Sequence, residues 1–165
     1  MSAPSTALSD LPSGGEVGEL LEGLLDRGVT AVEEAVPVLL GRDVRTVATY
    51  ADDTGAVRAV VLLDLALSAV LGAALALVPP PKVLAALEEG VVPADLADNT
   101  HEVLNIGASL FNCGDVHLKL RDVAVAPQPV DDATVAFLRR PSRRGDRRVD
   151  VPGYGTGVLA VVLDH

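Results

Sequence analysis

Between Ala59 and Val78 the chain runs for twenty residues with a single charge, Asp64. A run this apolar has two outlets. It either crosses a membrane or is buried inside a globular core. A spanning helix would carry the Asp64 carboxylate into hydrocarbon at a real cost. The local chemistry favours the core. Val57 to Leu63 is β-branched and aliphatic, as a buried strand is. Asp64 is suited to cap a helix over Leu65 to Leu77, and Pro79-Pro80-Pro81 ends it. The chain has 165 residues and is 49% hydrophobic, but aromatics make up only 2% and Trp is absent. One domain with a core of Val, Leu and Ala follows.

The flanking elements read as follows. Residues 1–15, rich in Ser, Pro, Ala and Gly, form a disordered tail with no basic start and no apolar run, hence no signal peptide. Residues 16–165 form the single domain. Glu16 to Leu40 has Val17, Leu20, Leu21, Leu24 and Leu25 at helical spacing. Val44 to Tyr50 is a strand, joined through the turn residues Asp52-Asp53-Thr54-Gly55 to Val57–Leu63 as a hairpin. Pro80 to Glu89 is a helix stopped by Gly90, and a further helix follows Pro93. From Val116 to Arg121 apolar and charged residues alternate, which predicts a half-buried strand. Thr134 to Leu138 reads as a strand, Pro141 to Arg148 as a loop, and Gly157 to Leu163 as the last strand. This order is α+β: an antiparallel sheet with long helices on one face, in two halves of similar layout.

The net charge is −10 and the pI about 4.6. Such a surface excludes general nucleic-acid binding and docking on anionic membranes. The single cysteine, Cys113, excludes an internal disulfide and fits a reducing, cytoplasmic setting. The histidines His101, His117 and His165 are scattered, so no metal site is expected. Arg139, Arg140, Arg143, Arg144, Arg147 and Arg148 form a basic stretch that runs through the expected loop, as a solvated hairpin tip or a contact for an acidic partner or a nucleotide phosphate. Gly153-Tyr154-Gly155-Thr156-Gly157 leads into a strand rather than a helix, so it is turn chemistry and not a phosphate cradle.

The chemistry concentrates between Pro93 and Asn112. Wound at about 100° per residue, this stretch places Asp98, His101, Glu102, Asn105, Ser109 and Asn112 in one stripe. Val103, Ile106, Gly107, Leu110 and Phe111 fall on the other side. A merely solvated face would more often carry Lys, Arg and Glu pairs. Asn and His are poor helix formers.

Asp98-x-x-x-Glu102-x-x-Asn105 resembles the Asp/Ser-x3-Glu-x2-Asn signature of the CheC/CheX/FliY phosphatases of bacterial chemotaxis. In that family a proline follows after about twenty-two residues, a position that Pro127 and Pro129 bracket here. The element order from Glu16 to Asp164 is CheX-like. The resemblance implies two pseudo-symmetric halves with helices packed on an antiparallel sheet, and a homodimer. CheC-like members carry the motif in both halves. Here the expected first helix has acids at Glu33 and Glu34 but no asparagine, so one site remains, as in CheX.

The implied substrate is the aspartyl phosphate of a CheY-type receiver, whose own site holds the Mg²⁺; the phosphatase needs no cofactor. Its task is to orient an attacking water in line with phosphorus. A carboxamide can accept from that water and donate from its NH₂, and it brings no negative charge against the phosphate. Asn105 takes that role. Glu102, the other catalytic residue, fixes the receiver's active-site lysine, with Asp98, His101 and Ser109 as partner contacts. The family usually has glycine near Ser109 and often at the position of His101, departures that bear on activity more than on fold. A non-catalytic CheX-like binding module and an oligomeric scaffold stand beside the phosphatase reading, and so does a plain solvated helix face.

Overall fold

The computed structural model describes residues 11–112, 116–140 and 142–164. The tail expected over residues 1–15 lies outside them as far as residue 10, as does Cys113. Ser13 opens the first helix: its hydroxyl accepts from the Glu16 amide while the Glu16 carboxylate accepts from the Ser13 amide. Helix α1, Gly14–Leu25, buries Val17, Leu21 and Leu25 at i, i+4 and i+8. It stops where Asp26 turns left-handed at φ 51°. The single helix expected from Glu16 to Leu40 is therefore corrected. Thr30–Glu33 is a short edge strand, β1. Its β-branched residues follow the Asp26-Arg27-Gly28 break, and the later segment crosses the sheet without forming helix.

Strands β2, Val44–Ala51, and β3, Val57–Asp64, form the expected hairpin, with Gly55 at φ 85° in the turn. Asp64 accepts from the Leu67 amide and starts α2, Leu65–Leu75. Every residue from Leu67 to Ala74 is buried, which is why the sequence is apolar all round. Helix α3, Pro81–Glu89, ends at Gly90 with φ 72°. Helix α4, Ala94–Ile106, follows, and the chain then tightens into a 3-10 turn, Gly107–Phe111. Strand β4 is Lys119–Val125, shifted along from the expected Val116–Arg121.

Two further expectations are corrected. Thr134 to Leu138 is not a strand. It lies in helix α5, Asp132–Arg139, capped by Asp131 through the Thr134 amide, with Thr134 and Phe137 buried one turn apart. The expected loop Pro141 to Arg148 is strand β5, Ser142–Val151, which pairs along its length with β6, Gly155–Asp164. Its arginines are structural. Buried Asp146 accepts from Arg144 and from the amides of Val38 and Leu39, while Arg147 donates to the Pro12 carbonyl. A hairpin tip could hold no such network.

The six strands make one antiparallel sheet in the order β1-β5-β6-β3-β2-β4. A two-fold through the central β3–β6 pair exchanges the hairpins β2–β3 and β5–β6, and exchanges the edges β1 and β4. Each edge strand pairs with the other half's hairpin: β1 on β5, β4 on β2. Helices α1, α2 and α4 cover one face over the larger core, which includes Tyr50, Leu63, Leu67, Leu71, Leu96 and Leu163. The opposite face carries Val47, Val60, Leu62, Ala160 and Val162, covered in part by Phe137 of α5 and by Leu39. Among the described residues no helix is long and apolar enough to cross a membrane.

Candidate functional site

Helix α4 is held from three directions. Its buried residues, Leu96, Thr100, Val103 and Leu104, form the stripe at 3- and 4-residue spacing that docks on α2. The Thr100 hydroxyl donates to the Ser68 carbonyl at 2.7 Å, and Asn99 Nδ2 donates to the Gly72 carbonyl at 3.2 Å. From the sheet, the Tyr50 hydroxyl donates to the Leu104 carbonyl at 2.7 Å. Burial pushes the Tyr50 pKa up, so this hydroxyl stays protonated and donating. Lys82 of α3 pairs with Asp95 in the first turn of α4, and that contact holds the Asp95 carboxyl below its usual range.

The backbone contacts are unusually close. A Cβ at Gly72 would lie 2.8 Å from both the Leu96 carbonyl carbon and Thr100 Oγ1, nearer than real Cβ atoms come. Only glycine lets α2 and α4 cross at this distance.

The outer face of α4 carries Asp98, His101, Glu102 and Asn105, all exposed. Glu102 and Asn105 project from the same side one turn apart, with Asp98 one turn before Glu102. Among the described residues neither the Glu102 nor the Asn105 side chain has a hydrogen-bond partner. Ile106, 37% exposed, is the apolar neighbour of this face.

The stripe does not continue to its expected end. Gly107 lies under the Tyr50 hydroxyl, and Phe111 packs on the Tyr50 ring with centroids 5.0 Å apart. To reach that position the chain winds at about 120° rather than 100° per residue, which carries Ser109 roughly 60° off the stripe. Ser109 remains exposed. Asn112 is set aside as a site residue. Its Oδ1 accepts from the Leu118 amide at 2.8 Å and so ties the turn to β4.

In the first half, Glu33 and Glu34 do not stand on a helix. Glu33 ends β1 and accepts from the Gly14 amide; Glu34 pairs with Arg148. The helix that corresponds to α4 is α1, whose acids are Glu16, Glu19 and Glu22, with no asparagine. The residues that fix the site helix, Tyr50, Ser68, Gly72, Asn99 and Thr100, lie outside the sequence motif. A signal existed in Asn99-Thr100, two polar residues at positions where α4 turns inward. Among the described residues no three His, Cys, Asp or Glu side chains converge as a metal cage would need.

No family model matches the chain, and no curated protein matches it significantly. Solved structures do. The FliM middle domain of Vibrio alginolyticus superposes with a TM-score of 0.59 at 13% identity, covering 92% of this chain and 88% of that one. FliM from a FliM–SpeE complex of H. pylori gives 0.60 at 6% identity, covering 92% and 81%. Thermotoga maritima FliY gives 0.50 at 13% identity, covering 95% and 86%. At these identities the likeness is one of fold. It is the CheC-like fold implied by the sequence resemblance to CheC, CheX and FliY.

Proposed function

We propose that a chain with this fold and this helix face dephosphorylates the aspartyl phosphate of a CheY-type receiver. The observation that carries the reading is the Glu102–Asn105 pair. Both are exposed, unpartnered and one turn apart on a helix whose backbone is locked by Thr100, Asn99 and Tyr50. Catalysis by positioning requires such rigidity, because a misplaced water loses the in-line geometry. Asn105 would present its carbonyl oxygen to the water and its NH₂ to the phosphoryl oxygens. Glu102 would accept from the receiver lysine, and Asp98 and His101 would contact the receiver's rim. Ser109, turned off the stripe, is left a peripheral contact. The Mg²⁺ belongs to the receiver; this chain supplies no metal. A cytoplasmic setting and a homodimer complete the reading.

A second reading is favoured by the fold likeness itself. The FliM structures superpose at higher TM-scores than FliY, and one of them is a complex with SpeE. On that reading α4 is a binding face for a signalling partner, without turnover.

The test is phosphate release from a phosphorylated receiver with Mg²⁺, comparing the protein with Asn105→Ala and Glu102→Ala. The phosphatase predicts acceleration that Asn105→Ala abolishes while receiver binding persists, and that Glu102→Ala lowers together with binding. Binding without acceleration in the parent protein selects the module. Acceleration unchanged by Asn105→Ala places the chemistry elsewhere.

A further inference from the structure

The sheet face away from α4 is incompletely covered. Helix α5 and the segment through Leu39 leave an open groove of about 480 Å³ between them, within the range of small-molecule sites, roughly 300–1,000 Å³. Its floor is Val47, Leu62, Ala124 and Val162, contributed by four strands, and Leu138 of α5 forms a wall. Among the described residues the lining contains no aromatic ring and no carboxylate. That argues against a nucleobase, which seeks a stacking partner, and against a cation.

The lining does contain two guanidinium groups, Arg45 and Arg144. They are not equivalent. Arg144 is neutralised by buried Asp146, at 2.8 Å, and donates to the Leu39 carbonyl. Arg45 is half-buried and, among the described residues, donates only to two backbone carbonyls of its own turn, Arg42 at 2.9 Å and Val44 at 3.3 Å. Among the described residues no carboxylate lies within ion-pair distance of it. In a protein of net charge −10 with 23 acidic residues, an arginine that lines an apolar trough with carbonyls and no acidic partner is a cation left open to an anionic ligand.

We propose that this groove binds a free aliphatic carboxylate of medium chain length, with its chain along Val47, Leu62, Ala124 and Val162 and its carboxylate on Arg45. The floor and the Leu138 wall are saturated aliphatic groups, which match a hydrocarbon chain, while Gln128 and Ser142 are the neutral polar residues of the lining. The fork of Arg45 matches a carboxylate, and its existing carbonyl contacts are the weak neutral kind that a charge-assisted pair displaces. The site is independent of the α4 face, since it lies on the opposite side of the sheet. It therefore stands whether or not the receiver phosphatase reading does.

The experiment is a titration of the full chain with sodium decanoate below its micellar concentration, followed by calorimetry and by methyl signals of labelled Val and Leu. The expected result is saturable one-to-one binding. Signals of Leu62 and Val162 shift, while those of Leu96 and Val103 under α4 stay in place. Decanol, and decanoate with Arg45→Gln, bind at least tenfold more weakly; Arg45→Lys, which keeps the charge but not the fork, binds between the parent and Arg45→Gln. Equal binding of decanol and decanoate, or an Arg45→Gln protein with parental affinity, would overturn the assignment. So would methyl shifts confined to the α4 side, or no saturation. Co-sedimentation with phosphatidylglycerol vesicles in the absence of decanoate binding would assign the face to a lipid surface instead and equally sink the proposal.

Discussion

Replacing Gly72 by alanine should loosen the site helix, against the usual trend for glycine in a helix interior. Two terms oppose each other. Alanine is favoured over glycine in mid-helix by about 0.5–1 kcal/mol. The new methyl would sit 2.8 Å from the Leu96 carbonyl carbon and from Thr100 Oγ1, and closer still to the Leu96 carbonyl oxygen. Overpacking of this kind costs about 1–3 kcal/mol. Pushing α4 away also strains two bonds across the crossing, Thr100 to Ser68 and Asn99 to Gly72, each worth about 1 kcal/mol. The balance is a loss of about 3 kcal/mol, which for a domain of this size lowers Tm by roughly 6–12 °C. Gly23, exposed in α1 with nothing within 4 Å of its Cβ position, is the control. Gly23→Ala should gain about 0.5–1 kcal/mol. Urea unfolding of both variants, with m-values compared, reads the difference. If Gly72→Ala proves as stable as the parent, or gains like Gly23→Ala, then α2 and α4 do not touch through their backbones. The placement of Glu102 and Asn105 argued above would then fall with that contact.

Three further outcomes follow from the same geometry. Tyr50→Phe removes the donor to the Leu104 carbonyl and should cost about 1–2 kcal/mol in chemical denaturation, with a stability change below 0.3 kcal/mol counting against a structural role for that bond. Stability should fall as the pH drops below about 4, the ordinary carboxylate value. Burial pushes the Asp146 carboxyl up, but Arg144 and the Leu39 and Val38 amides outweigh it, and the Thr134 amide chiefly holds Asp131 low. Both groups bind protons more readily unfolded, so their contribution is present above that value and is lost as pH falls through the folded pKa. Asp64, raised by burial, acts in the opposite sense. A urea midpoint flat from pH 7 to 3 would contradict this assignment. Asp146→Asn should cost about 2–3 kcal/mol at pH 7 and shorten the acid limb; the full cost of splitting a buried pair is avoided because Arg144 stays part-exposed.

Much of this fold is legible in the residues, and the misreadings have specific causes. The Asp52–Gly55 turn, the Asp64 cap, the Gly90 stop and the aliphatic last strand are local signals that the tertiary structure leaves intact. Strand β5 is different. Its Ser-Arg-Arg-Gly-Asp-Arg-Arg sequence has loop composition, and what makes it a strand is pairing with β1 and β6 and the partners of its charges, all distant in sequence. Thr134-Val135-Ala136-Phe137-Leu138 has β-forming composition, yet the Asp131 cap and the fit of Thr134 and Phe137 beneath α5 decide for helix. At the site, the exposure of Asp98, His101, Glu102 and Asn105 follows from helical periodicity. The departure of Ser109 and Asn112 does not, because the 3-10 turn is imposed by the Tyr50–Phe111 contact.

The exchange of edge strands has a consequence for how the molecule comes apart. Because β1 completes the sheet of the second half and β4 that of the first, a cut near Gly90 would yield two fragments, each lacking a border that only the other can supply. Neither could peel away without stripping its counterpart. The two halves are clasped like interlaced fingers, and the protein should come undone in one step or not at all.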